Sequence, residues 1–237
     1  MIDALRSFRG EDIEIAPGIV IHQPRVGEIA DYGERDYFGL VSFVCATPAD
    51  RKVDIWDALH IFWEEVDEFS LFVSSVRILA EEDTDIILPG LDFSSFEQKV
   101  DIKKQEIVLV NQDGVEINKS VYLQLTNQLR NIHLLKKNVD IGADNSTRRV
   151  MIDVDRDDRE AAARKPFESI ITAYASCLAR SLPFDAIWEI PIGAFLYTME
   201  REQKVRNYDH LMQGVYSGCV DAKKIKKSDL NWLGKLR

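Results

Sequence analysis

The sequence predicts an α+β protein, predominantly α-helical, with a small antiparallel β-sheet inserted at about 81–118 and a short N-terminal β element. Three observations predict it. Apolar side chains recur at three- and four-residue steps through most of the chain, the spacing of helices that bury one face. Two stretches, near 13–21 and 85–117, break that rhythm with short β-branched runs separated by Pro-Gly or Asp-Gly turns. The apolar fraction is 46% over 237 residues, enough for a sizeable core. The chain is read as one compact unit, 1–237, with subregions at 1–80, 81–118 and 119–237.

The elements follow in order. Ile13 and Ile15 alternate with acids, Pro17 and Gly18 turn the chain, and residues 19–21 return. After Pro24, Val26, Ile29 and Ala30 share one side of a helix that Gly33 breaks. Phe38, Val41 and Cys45 mark the next helix, ending near Pro48. Ile55, Trp56, Leu59, Phe62 and Trp63 recur at helical steps. Asp67 suits the N-cap of a helix with Phe69, Phe72, Val73, Val76 and Leu79 on its apolar stripe. Residues 85–88 read as a strand before the Pro89-Gly90 turn, and 106–110 and 115–117 as a hairpin around Gly114.

Asn118 suits the cap of a helix carrying Tyr122, Leu125, Leu129 and Ile132 inward. Residues 136–166 are highly charged and read as an exposed connection, helical in part through Ala161–Ala163. Ile170, Ile171, Tyr174, Cys177 and Leu178 mark another helix, which Pro183 closes. Pro191 fits the first turn of the next, burying Ile192, Phe195, Leu196 and Met199. Leu211, Met212, Val215 and Tyr216 mark a further helix stopped by Gly218, and Ser228 suits the cap of a last turn presenting Leu230 and Trp232.

The formal net charge is −10. That balance opposes wrapping a nucleic acid, whose phosphates an acidic surface repels. The acidity is uneven. Residues 201–237 hold nine Lys and Arg against four acids, a balance of +5, which leaves −15 on the other 200 residues. The basic end reads either as an ordinary solvated tail or as a surface for an acidic partner or another copy. Nucleic-acid binding through Lys223, Lys224, Lys226, Lys227, Lys235 and Arg237 is the least supported reading.

Cys45, Cys177 and Cys219 are widely separated and odd in number, which points to reduced thiols in a cytoplasm. No signal peptide and no spanning apolar stretch are read, so no membrane partner is expected. The acidic run 153–164 resembles a calcium loop but has Asp158 where Gly is required and Arg164 where Glu is required. It reads instead as a self-paired helical face. His22, His60, His133 and His210 lie in no metal-ligand spacing, and no phosphate-loop or nucleophile-elbow motif occurs. No catalytic residue, cofactor or metal site is expected.

Trp56, Phe62, Trp63, Phe69 and Phe72 admit two readings, a packed core or a groove that holds an apolar partner segment. On the second reading, Trp56, Phe62, Trp63 and Phe69 join the C-terminal Lys223, Lys224, Lys226, Lys227 and Trp232 as candidate partner contacts.

Several segments carry a family resemblance: HQPRVGEIADYGE at 22–34, TPAD at 47–50, Ile55-Trp56, DEFSLF at 67–72, FLYTMER at 195–201 and YSGCVDAKKIKKSDLNW at 216–232. With these the chain resembles proteins encoded with the tail genes of tailed bacteriophages of Gram-positive and gut bacteria, described as tail assembly chaperones. The resemblance implies a non-enzymatic morphogenesis protein that binds the tape measure protein or other tail proteins in the host cytoplasm. The alternative it implies is a tail or neck subunit retained in the virion, with self-association of the basic end and the acidic body. No catalytic residue transfers with it.

Overall fold

The computed structural model describes residues 4–101, 106–234 and 236. The N-terminal part runs α1 (Ala4–Phe8), β1 (Ile13–Ala16), β2 (Ile19–Ile21), α2 (Val26–Tyr32), α3 (Glu34–Val44), α4 (Lys52–Leu59) and α5 (Glu68–Leu79). Then come β3 (Glu97–Asp101), β4 (Glu106–Val110) and β5 (Glu116–Ile117). The rest is α6 (Lys119–Ile132), α7 (Asn145–Ala163), α8 (Ile170–Leu178), α9 (Phe184–Trp188), α10 (Ile192–Tyr216) and α11 (Lys227–Leu230). Helix accounts for 58%, beside a two-stranded and a three-stranded antiparallel sheet, so the fold is α+β and predominantly helical as predicted.

The hairpin β1–β2 sits in the main core, where Ile19 and Ile21 are fully buried. Around it pack Val26 and Ile29 of α2, Tyr37, Leu40, Val41 and Val44 of α3, and Phe69, Phe72, Val76 and Leu79 of α5. Leu125, Leu129 and Ile132 of α6 and Ile192 and Phe195 of α10 complete it. Backbone bonds fasten the segment before α2 to the segment before α10. Val26 N donates to Ile190 O (3.0 Å) and Ile192 N to Pro24 O (2.9 Å). The sheet β3–β4–β5 lies on this body as a flap, burying Leu109 and Ile117 while every described residue of β3 whose side chain is placed is exposed.

Most local readings hold. The Asp67 carboxylate accepts from the Phe69 and Ser70 amides (3.1 and 3.2 Å), and Asn118 Oδ1 accepts from Val121 N (3.0 Å). Four readings are corrected. Residues 85–88 form no strand. They make a turn in which the Ile87 and Leu88 amides both donate to Thr84 O, and the two apolar side chains reach the core directly. Residues 145–163 are a 19-residue helix capped by Asp144, because their arginines find acids on α4 as well as on their own face. Residues 192–216 form a single helix of 25 residues, since nothing between Met199 and Leu211 breaks it. Ser228 lies inside α11 and bonds Asp229 rather than capping the turn, whose N-cap is Lys226.

Among the described residues, a charged pair lies inside the main body. Arg130 is 5% exposed, and its guanidinium donates to Cys45 O (2.6 Å), Glu68 Oε1 (2.8 Å) and Thr126 Oγ1 (3.3 Å). Glu68 also receives Lys137. The carbonyl of Cys45, at the end of α3, would otherwise be an orphan acceptor away from water. Burial pushes the Cys45 thiol up to about 12, which keeps it protonated and unreactive.

His133, at the end of α6, is also buried. Its Nδ1 lies 2.8 Å from Leu129 O, which can only accept, so Nδ1 carries the proton and Nε2 accepts from Tyr37 Oη at 2.6 Å. Burial lowers the imidazole to about 4 from an ordinary 6.5, against the opposing Leu129 bond.

Two predictions follow from these groups. Replacing Arg130 by Ala leaves the Cys45 carbonyl buried without its partner and Glu68 with Lys137 alone. Urea denaturation of Arg130→Ala is expected to show a loss of about 3 kcal/mol, the usual result of breaking a buried pair. For His133 the folded pKa lies below the unfolded one, so between pH 6.5 and about 4 the unfolded chain takes up a proton that the folded chain refuses. Stability is therefore whole above that window and falls through it with acidification, by about 3 kcal/mol in total. The unfolding free energy of His133→Gln, measured across the same window, should show a correspondingly shallower slope.

Candidate functional site

The residues expected at a partner surface separate into three places. Phe69 is 4% exposed and stacks with Phe72 and Tyr122 in the main core, and Trp63 is 2% exposed in a second, smaller core. Neither presents a surface, so the packed reading describes both. Trp56 and Phe62 are half-buried, with rings stacked at 5.1 Å and 25°. They edge the second core, built from Ala49, Val53, Ile55 and Trp63 beneath Ile152 of α7. The guanidiniums of Arg148 and Arg149 lie 5.3 Å from the Phe62 ring and 5.7 Å from the Trp56 ring.

The third place is the C-terminal end. The helix α10 begins inside the main core, with Ile192–Leu196 buried, and leaves it after Met199, which packs partly against that core. At about 1.5 Å per residue the twenty residues after Leu196 extend about 30 Å away from the first turn. Gly218, at φ +76, ends the helix in the left-handed conformation that glycine adopts without strain. The chain then folds back along α10. Val220 N donates to Gly214 O (3.0 Å), and a Cβ built on Gly214 would stand 2.7 Å from Val220 Cγ2. The absence of a side chain at 214 is thus what lets the returning segment approach.

Arg201 holds the far end of this hook. Its guanidinium donates to the carbonyls of Trp232 and Gly234 and to Tyr197 Oη (2.7 Å). Leu236 is buried at 5%. Tyr197 in turn packs edge-on against Phe8 of α1 (5.6 Å).

Between helix and hook lies an open cleft of about 670 Å³. Lys204, Asn207, His210 and Leu211 line it from α10, and Val220, Ser228, Asp229, Asn231 and Trp232 from the hook. Trp232 is 39% exposed there. Lys223, Lys224, Lys226 and Lys227 are all exposed on the same hook, while Lys235 and Arg237 fall outside the described residues. The volume suits one or two side chains of a partner segment, with an indole and two aliphatic groups for apolar contact and amide and ammonium donors at the margin. Ser228 Oγ donates to Asp229 at 3.1 Å rather than to His210, an arrangement that does not activate a hydroxyl nucleophile. Among the described residues, no group of three or more His, Cys, Asp or Glu is placed to hold a metal ion, and no helix is long and apolar enough to cross a membrane.

This helix and hook fall within the part of the chain that comparison with known families picks out. Residues 163–237 match the YomV second domain, a phage-associated family. The match covers the last third of the chain and suggests a phage protein. It begins at the end of α7, yet Ile171, Leu178, Ile187, Ile192 and Phe195 share the main core with residues before it. The curated proteins and the solved structures hold no match to this chain.

The four candidate lysines are exposed on the hook outside the lining. Of the residues lining the cleft, Trp232 was among the candidates read from the sequence, whereas Lys204, Asn207, His210 and Leu211 were not. Their signal was the three- and four-residue spacing along one face, visible only if 192–216 is taken as one helix. Substituting Gly214 by Val should dislodge the hook while sparing the core. The expected result is hydrogen exchange accelerated about tenfold or more at amides 220–234, with unchanged protection in α5 and α6.

Proposed function

We propose that the chain is a non-enzymatic phage morphogenesis protein, a tail assembly chaperone that holds the tape measure protein before tail tube subunits polymerise around it. The observation that carries the proposal is the open cleft between α10 and its hook, which lies within the segment matching a phage-associated family. A cleft that offers an indole and aliphatic side chains, with exposed lysines on the same hook, suits an apolar residue on an acidic or neutral helical segment. Its openness favours modest affinity and fast release, as a chaperone displaced during assembly requires. In this reading the protein acts in the host cytoplasm, requires no cofactor, and meets proteins rather than nucleic acid or membrane.

A second reading, a tail or neck subunit retained in the virion, draws support from the charge asymmetry. A basic end of +5 and a body of −15 suit head-to-tail contacts between copies.

Co-expression with the tape measure protein tests the first reading. The complex should copurify, and Trp232→Ala should weaken it by about 2 kcal/mol, roughly thirtyfold, as loss of a central aromatic contact does. A tape measure protein that is soluble yet never associates would refute it. Mass spectrometry of purified virions beside infected-cell lysate separates the two readings. A chaperone is abundant in lysate and absent from virions, whereas a subunit is present in both at fixed stoichiometry.

A further inference from the structure

The helix α7 is held to the body in an unusual way. Of its 19 residues Ile152 alone is buried, at 2%, and it enters the second core rather than the main one. Met151 packs partly against the same core, and most of the remaining attachment is charged. Arg148 Nε meets Glu64 (2.7 Å), Arg156 meets Asp57 (2.7 Å), and Arg159 meets Asp54 (3.1 Å) and the Asp50 carbonyl (2.6 Å). Asp155 faces Lys52 at 3.6 Å.

Residues 148, 152, 155, 156 and 159 form one stripe along a helix, at steps of four, three, one and three. The surface beneath is complementary, with acids around the Trp56–Phe62 stack and Lys52 within it. The fit is incomplete. A gap of about 320 Å³ remains among Trp56, Arg149, Ile152 and Asp153. On both sides α7 is joined by segments, 134–144 and 164–169, without helix or strand. Exposed and half-exposed ion pairs weaken with salt, and a segment held mainly by them opens below global unfolding.

We propose that the α4 surface is a binding groove for an amphipathic helix of another protein whose packed face is basic, and that α7 is its built-in occupant. The partner helix carries one aliphatic residue, with arginines four before, four after and seven after it and an acid three after it. That is the pattern α7 presents around Ile152. Displacement of α7 opens the groove, and its return releases the partner. The inference rests on the reading of this chain as a protein-binding protein, but uses a surface other than the cleft at Trp232.

The test uses the full chain and a fluorescent peptide of residues 144–164. Ile152→Asp in the chain should release its own α7, so the peptide should bind this variant about tenfold or more tightly than it binds the unaltered chain. The same substitution in the peptide, or about 0.5 M salt, should weaken binding about tenfold. A peptide that binds neither chain would overturn the proposal, and so would dimerisation by exchange of α7 between copies.

Hydrogen exchange on the unaltered protein serves where the variant fails to fold. Amides of α7 should exchange about tenfold or more faster than those of α6, with salt speeding α7 alone. Joint exchange of the two helices would overturn the idea. Because Trp232→Ala leaves the α4 groove intact, loss of tape measure binding and loss of peptide binding are separable.

Discussion

The body of this protein is organised by one buried guanidinium. Arg130 reaches from the last turn of α6 to the carbonyl that ends α3 and to Glu68 in the first turn of α5. A cation that deep is tolerable only because every neighbour it faces is an acceptor, and the carbonyl it meets would be unsatisfied without it. The three helices so fixed form the walls against which the β1–β2 hairpin and the first turn of α10 close. His133, one turn further along α6, repeats the theme with neutral groups, its ring bridging Leu129 and the hydroxyl of Tyr37.

Outside that body the forces change. The main core gathers residues from nearly every element, whereas the second core contains five buried residues. What it lacks in apolar area it recovers in charge, as arginines of α7 close over acids of α4. The far half of α10 is a third regime, a helix in water steadied by Arg201 and by the close approach at Gly214. Both candidate binding surfaces lie in these outer regions, where little apolar area resists rearrangement. The rigid body supports them without taking part in them.

Local chemistry made much of this visible in the sequence. Asp67 and Asn118 announce their helices because a short polar side chain before an apolar stripe has few other uses. Pro17-Gly18 and Gly114 announce their turns for a similar reason. What escaped notice lacked a local signal. Residues 85–88 have the composition of a strand, but Thr84 O collects two of their amides and no neighbouring strand collects the rest. The charged stretch at 145–163 has the composition of a linker, and its helix is stabilised by acids 84 to 105 residues earlier, Glu64, Asp57 and Asp54. Among the candidate contacts, Trp232 and the lysines lie at an open surface, whereas Trp63 and Phe69 have the same aromatic character and lie inside.

The sequence by itself determined the class of fold, the N-caps, the turns and the uneven charge, because each depends on residues a few positions apart or on simple totals. The tertiary structure decided which aromatic rings meet solvent, that α7 lies over the α4 surface, and that the C-terminus turns back along α10 to enclose a cleft. Those outcomes depend on pairings across tens of residues, where a long loop adds little to the entropy of closure and the winning contact is set by complementary shape and charge. Periodicity shows which face of a helix is apolar. Only the assembled chain shows what lies against it.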